Sequence, residues 1–184
     1  DLKEIFSLIF PEFRNIDNLN RLGLIKNNQE KKKNRSLILA TLVIDGTNNH
    51  EYFCHKYRTS NEIKNDLNFF SKIFKEINLD INFFKKNLKK NLYFFGKKRI
   101  IDAAYFSFLI NKKISFSDFE KTLSNIEKII LPKFQYNGEF LIKKGLVEGK
   151  KIGTTLNKLE DEWIKNNFSL EEKKIMDIIK KARD

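Results

Sequence analysis

The chain has 184 residues and carries 36 Lys and Arg against 24 Asp and Glu, a formal net charge of +12. Hydrophobic residues make up 41% and charged residues 33%, the balance of a soluble globular protein rather than a disordered or membrane-embedded one. The single cysteine, Cys54, excludes an internal disulfide, so a reducing, cytoplasmic compartment is expected.

Two prolines and seven glycines interrupt the chain, which favours helices over a turn-rich β architecture. Lys, Asn, Ile and Phe are used heavily, a mix that an AT-rich genome also produces by codon bias. The positive balance suits a polyanion, nucleic acid first and an anionic membrane surface second. The longest apolar run, 37–44, is far short of the roughly 20 residues that span a bilayer, so no membrane partner is expected. The chain starts at Asp1 without a methionine and is read as a proteolytic, processed or engineered piece of a longer protein.

In chain order, Leu2, Ile5, Phe6, Leu8, Ile9 and Phe10 recur at helical spacing up to Pro11. A second short helix fits Ile16, Leu19, Leu22 and Leu24, and the Lys-rich stretch 26–35 reads as an exposed loop. Residues 36–44 form an apolar, largely buried helix that Asp45 and Gly46 end. Thr59 and Glu62 fit a capping box opening a helix with Ile63, Leu67, Phe70, Ile73, Phe74 and Ile77. Another helix is expected from about Asp80, with Phe83, Phe84, Leu88 and Leu92 on one face and Gly96 as its stop. A further one covers 100–110. Ser117 with Glu120 reads as a second capping box, whose helix continues through Leu123, Ile126 and Ile130. After Pro132 an amphipathic helix carries Ile152, Leu156, Leu159, Trp163 and Ile164, and Ser169 with Glu172 starts the last helix, which ends in Lys180, Lys181 and Arg183. The expected fold is all-α: an irregular multi-helix body, 1–132, and a smaller helical tail, 133–184, with a helix-hairpin-helix-like glycine turn.

That turn is the most informative segment. Residues 138–164 read GEFLIKKGLVEGKKIGTTLNKLEDEWI. Gly145 suits the left-handed position after a short helix, Leu146 and Val147 can plug the space between two helices, Gly149 opens the second helix, and Gly153 allows a close approach by a helix or ligand. Free amides at a helix N-terminus favour an anion, and Lys143, Lys144, Lys150 and Lys151 surround this one. Two readings stay open on local chemistry: a phosphate held by the amides of 149–152 with the lysines assisting, or glycines that serve packing only.

The pattern closely resembles the C-terminal tail of class II tRNA nucleotidyltransferases (CCA-adding enzymes) and bacterial poly(A) polymerases, especially of the alphaproteobacterial type. Their tail reads as a phenylalanine, a glycine, an acidic residue and an apolar pair, then G-L-x-x-G-x-x-[LIV]-G-x-x-L-x-x-L-E-x-x-W. Phe134, Gly138, Leu141, Gly145, Leu146, Gly149, Ile152, Gly153, Leu156, Leu159, Glu160 and Trp163 stand in register with it. Glu139-Phe140 replaces a frequent Asp-Leu, and Lys150 stands where the family often has proline. Upstream, Leu8-Ile9-Phe10-Pro11-Glu12 resembles the family's L-L-L-P-E. Tyr57-Arg58-Thr59-Ser60-Asn61-Glu62 resembles L-R-L-S-N-x-E, and Leu92-Tyr93-Phe94-Phe95-Gly96 with Asp102 resembles L-Y-x-x-G with a later aspartate.

The resemblance implies that body and tail grip the elbow and acceptor stem of tRNA, or another structured RNA, and place its 3′ end in an N-terminal catalytic head. That head requires a Gly-Ser turn, an Asp-x-Asp pair for Mg and an Arg and Asp set for CTP or ATP. None of these patterns occurs in the chain, so no catalytic residue and no cofactor is assigned to it. Glu160, Asp161 and Glu162 read as a solvated face.

His50, Cys54 and His55 lack a third or fourth partner suited to zinc and read as ordinary helix residues, so no metal site is assigned. The densest basic region is 81–100, with Lys85, Lys86, Lys89, Lys90, Lys97, Lys98 and Arg99 around Tyr93, Phe94 and Phe95. Lysines on RNA backbone with aromatics in the core is the preferred reading there. Lys31, Lys32, Lys33 and Arg35 form a second basic patch, read as a solvated loop. The rivals to the RNA reading are a stand-alone helix-hairpin-helix module for DNA or RNA and a non-catalytic helical interaction domain.

Overall fold

The computed structural model describes residues 2–25, 34–79 and 83–183. The Lys31–Lys33 patch and the expected helix start at Asp80 lie outside these residues. The described residues are all-α, with ten α-helices, one 3-10 helix and no strand. They fall into two compact units, 1–129 and 130–184.

The first unit contains α1 (Leu2–Ile9), a 3-10 helix (Ile16–Leu24), α2 (Arg35–Val43), α3 (Asn49–Lys56), α4 (Asn61–Leu79), α5 (Leu88–Phe95), α6 (Lys97–Ile110) and α7 (Phe116–Lys128). Its centre is α2 against α4, α6 and the 3-10 helix. Leu37, Ala40 and Val43 of α2 meet a core that includes Leu67, Phe70 and Ile73 of α4 and Ile100, Ala103, Phe106, Phe108 and Leu109 of α6, all essentially inaccessible. The apolar residues of α2 and α6 run round the whole helix because both are covered on several sides. The segment 16–24 tightens to 3-10 pitch, tied to α2 by Asn15 Nδ2 donating to Ile44 O at 3.0 Å and Asn18 Nδ2 donating to Thr41 O at 3.3 Å. Arg21 donates to Asn111 O at 2.6 Å and Ile114 O at 2.5 Å, and its guanidinium stands 4.0 Å over Phe108. It thereby fixes the α6–α7 connection.

Helix starts differ from the expected ones in four places. Ser60, not Thr59, takes the cap position of α4, its Oγ accepting from Ile63 N at 3.3 Å, while the Thr59 hydroxyl has no partner. Ser115, not Ser117, caps α7: its Oγ accepts from Asp118 N at 3.0 Å and donates to Asp118 Oδ2 at 2.7 Å. Phe108 stacks on Phe119 at 4.5 Å and meets Phe116 at 6.0 Å, contacts that favour the earlier register. Residues 83–87 are turn rather than helix, held by Asn91 Nδ2 donating to Phe83 O at 2.9 Å, so α5 begins at Leu88. Ser169 does not cap the last helix, which begins three residues later, because Asn167 and Phe168 turn through positive φ. Ile130 lies beyond α7 and is exposed, so it does not continue that helix's apolar face.

The second unit contains α8 (Gly138–Lys143), α9 (Lys150–Lys165) and α10 (Glu172–Arg183). Leu141, Leu146, Leu159, Ile175 and Ile179 form its core, with Phe134, Tyr136, Phe140, Ile152 and Leu156 packed against them. Trp163 is buried with Phe134 at 5.3 Å and Phe168 at 4.9 Å. Most apolar positions of the 138–164 pattern are thus the core of this unit, Ile142 and Val147 being exposed, and Gly145 and Gly149 shape the connection between α8 and α9.

Candidate nucleic-acid interface

The α8–α9 connection is built from two helix ends. Asn137 caps α8 at its start, its side chain accepting from Phe140 N at 2.9 Å. At its end Gly145 takes φ +86, as a residue closing a helix in the left-handed region does. Leu146 N donates to Leu141 O at 3.0 Å and Gly145 N to Ile142 O at 2.8 Å, the paired closure of a Schellman turn. Leu146 and Leu141 are both buried, which supplies the apolar contact that accompanies such a turn. Val147 is 84% exposed, so it does not plug the space beside Leu146.

The chain then extends to Gly149, at φ +144, and α9 starts with no side-chain cap at this position. Ile152 N donates to Gly149 O at 3.1 Å, and the amides of Lys150 and Lys151 stand at the positive end of the helix dipole without a side-chain cap. Lys143, Lys150 and Lys151 are exposed, and Lys144 is half-buried with its Nζ 5.9 Å from the Phe140 ring. A Cβ at Gly149 or Gly153 would meet nothing within 4 Å, so both stand in open space and no packed neighbour requires them to be glycine. The expected close approach of a helix at Gly153 is absent among the described residues; that face of α9 is open. The residue that sequence reasoning missed is Arg183. Its Nη2 donates to Lys144 O, and Lys151 Nζ donates to Arg183 O at 3.3 Å, so the end of α10 joins both sides of the turn.

On the far part of α9, Glu162 pairs with Lys165 at 3.2 Å and Lys174 at 3.6 Å. The hydrogen bond from Lys165 and the two positive charges hold its carboxyl below the ordinary value. An acid paired in this way belongs to a solvated face.

The second basic region lies in the first unit. Lys85 and Lys86 sit in the turn before α5, Lys90 on α5, and Lys97 and Lys98 at the start of α6; all five are exposed, and Lys89 is half-buried. Lys97 Nζ donates to Glu127 O at 2.8 Å. Arg99 pairs with Asp66 at 3.6 Å and stands 4.7 Å over Phe69, so it is engaged within the unit. Tyr93 and Phe95 are half-buried, but Phe94 is 57% exposed, against the expectation that these aromatics stay in the core. Leu88 and Leu92 are the buried face of α5, and Phe94 lies two residues past it, on the opposite side of the helix.

A cleft of about 540 Å³ opens near the same cations. Arg35, Lys98 and Arg99 face Glu62, Asp66 and Asp102 there. Two upstream fragments of the resemblance meet in it, through Ser60 and Glu62 of one and Asp102 of the other.

A third fragment contributes Glu12, which is buried. Its carboxylate accepts from Lys56 Nζ at 2.7 Å and from Tyr57 Oη at 3.0 Å, and its backbone O accepts from Asn49 at 2.9 Å. Burial alone would raise the Glu12 carboxyl, but the bonds from Lys56 and Tyr57 outweigh it and hold the carboxyl below the usual range, while Lys56 is raised by the same pairing. His50 and Cys54 are buried on α3 and His55 is exposed; burial lowers the His50 imidazole. Among the described residues no three His, Cys, Asp or Glu side chains gather as a metal site would require. No helix of the described residues is long and apolar enough to cross a membrane.

Compared with known proteins, the chain is 30% identical over 60 residues to the human protein named CCA tRNA nucleotidyltransferase 1, mitochondrial. The matched stretch is 33% of this chain and 14% of the human protein. No family model matches the chain, and no solved structure does.

Proposed function

We propose that the chain is the RNA-binding C-terminal portion of a tRNA nucleotidyltransferase or poly(A) polymerase, of the type found in alphaproteobacteria. In this reading it grips tRNA or a related structured RNA and presents the 3′ end to a head that adds nucleotides. The head, with its Mg and its CTP or ATP, belongs to another part of the parent protein, and the residues of this chain bind without catalysing. The observation that carries the reading is the start of α9, uncapped at Gly149 and bordered by exposed Lys143, Lys150 and Lys151. The 30% identity over 60 residues with a human CCA tRNA nucleotidyltransferase supports it.

A phosphate fits that place for two reasons. The amides of Lys150 and Lys151 lie at the positive end of the dipole, and the open Gly149 leaves no side chain in the approach. Lys85, Lys86, Lys90 and Lys98 supply further backbone contacts on the first unit. Phe94 is the aromatic available for an unpaired base to stack on. Binding of this kind reads backbone and shape, tolerates sequence and weakens with salt.

The test is a titration of the chain against tRNA at several salt concentrations, with duplex DNA and single-stranded RNA of equal length as competitors. A variant carrying Lys→Glu at Lys143, Lys144, Lys150 and Lys151 runs alongside. Preferred binding of tRNA, weakened about tenfold or more in the variant, supports the reading. Equal competition by duplex DNA would favour a generic hairpin module, and no binding at low salt would refute an RNA grip.

A further inference from the structure

We infer that the cleft at the start of α2, α4 and α6 binds one ribonucleotide unit, with Arg35 and Lys98 on its phosphate and the Glu62 carboxylate on its 2′-hydroxyl. The site belongs to the first unit and does not depend on the glycine turn of the second.

Three helices begin at this cleft. The start of α2 supplies Arg35 and Ser36, that of α4 Glu62 and Asp66, and that of α6 Lys98 and Arg99. The helix ends are not what the cleft offers. Asn34 Oδ1 already accepts from Leu37 N at 3.1 Å, and Ser60 Oγ from Ile63 N at 3.3 Å. It offers side chains, and these fall into two groups. Arg99 and Asp66 pair at 3.6 Å with the guanidinium over Phe69, and Asp102 is engaged as well. Arg35, Lys98 and Glu62 line the same cleft, yet among the described residues they form no ion pair and no side-chain hydrogen bond. Ser36 also lines it; the residue is nine-tenths buried, and no described residue bonds its hydroxyl.

The free groups decide the ligand. They are two cations, one carboxylate and one hydroxyl. A bare phosphate would satisfy the cations but meet Glu62 as a like charge, and a cation would meet the reverse. A ligand that carries an anion and a neutral hydroxyl side by side satisfies both. Its phosphate takes charge-assisted bonds from Arg35 and Lys98, the Ser36 hydroxyl can donate to a further phosphate oxygen, and the ligand hydroxyl donates to Glu62. A ribonucleotide holds these two groups on one sugar, and the net charge of +12 suits a polymer of such units. The cleft, at about 540 Å³, falls in the range of roughly 300–1,000 Å³ typical of sites for small organic ligands.

The two halves of the site have different duties. Arg35 and Lys98 read a phosphate, which ribose and deoxyribose nucleotides share. Glu62 reads the 2′-hydroxyl, the group by which a protein tells RNA from DNA. Loss of a cation therefore weakens both kinds of nucleotide, whereas loss of Glu62 removes only the preference between them.

The experiment follows backbone amide shifts of Ser36, Glu62 and Lys98 in the full chain as uridine 5′-monophosphate, its 2′-deoxy analogue or uridine is added. The ribonucleotide is expected to move these amides, the deoxy analogue to bind about three- to tenfold more weakly, and uridine to move none of them at the same concentration. Glu62→Ala should bring the ribonucleotide to the affinity of the deoxy analogue, whose own binding changes less than about twofold. Glu62→Gln keeps an acceptor oxygen and should keep part of the preference, which guards against an Ala variant that loses its fold. Lys98→Met should weaken both nucleotides alike, and Glu120→Ala, which removes an acid outside the cleft, neither. Equal affinity for the two nucleotides in the unmodified chain overturns the inference, as does an absence of shifts at these amides. A loss of both nucleotides alike in Glu62→Ala and Glu62→Gln overturns the role of Glu62. The shifts should persist in the variant with Lys→Glu at the four lysines of the glycine turn, and their loss there overturns a site confined to the first unit. An oligouridylate that moves the same amides at a lower concentration than the mononucleotide supports the site with the unit belonging to RNA. A mononucleotide that binds as tightly as the oligomer supports it with a free ribonucleotide as the source.

Discussion

The two units use their cations and their sequence patterns in different ways. In the first unit several cations are engaged in holding the fold: Arg21 on Asn111 and Ile114, Arg14 on Asp45, Lys56 on Glu12, Arg99 on Asp66 and Phe69. In the second unit Lys143 and Lys150 of the α8–α9 turn stand out in solvent, Lys144 is half-buried and Lys151 is exposed with its Nζ on Arg183 O, while most apolar positions around them make the core. A positive balance spread over the whole chain therefore says less than where each cation stands, and the proposed RNA contact rests on the few placed beside the uncapped start of α9.

The comparison is broken most severely by removing the core that the tail pattern builds. Leu159 is fully buried, and Leu159→Ala should cost about 2–5 kcal/mol, enough to melt a unit this small at moderate temperature. Two thermal transitions are expected to separate in the variant, the lower one belonging to 130–184. A single shifted transition would show that the units do not melt independently.

The next effect concerns Glu12. Its carboxyl is held below its ordinary value in the fold, so its ionised form stabilises the first unit at pH above the unfolded value of about 4.3. That contribution is lost as pH falls through the lower folded value. Lys56→Met should lower the Tm at neutral pH by about 2–6 °C and reduce the loss of Tm on acidification, because the pair that acid breaks is already gone. An equal acid response in wild type and variant would remove Glu12 from the account.

The smallest effect separates two serines. Ser115→Ala should cost about 1 kcal/mol, since it strips the cap of α7. Ser117→Ala should change stability by less than about 0.5 kcal/mol. Chemical denaturation of both variants checks the difference, and a larger loss at Ser117 would contradict the cap assigned here.

Helical class and the central apolar helices were legible because periodicity and the scarcity of Pro and Gly act locally. The positive φ at Gly145 and the start of α9 at Gly149 were legible for the same reason. Caps were not, because Ser-x-x-Asp at 115 and Ser-x-x-Glu at 117 satisfy the same rule. The packing of Phe108 on Phe119, eleven residues apart, favours the first. Phe94 was misplaced because α5 is too short to bury more than the Leu88 and Leu92 face. Arg183 was invisible as a member of the turn, since its partner lies 39 residues away and its position at a helix end already had a local explanation in the dipole.

The most direct test of the central claim is backbone amide chemical-shift mapping of the labelled chain as tRNA is added at moderate salt. The expected result is that the largest changes fall on Gly149, Lys150, Lys151 and Ile152, with smaller ones at Lys90 and Phe94. Changes confined to the first unit, or none at saturating RNA, would contradict the claim that the glycine turn is where this protein holds RNA.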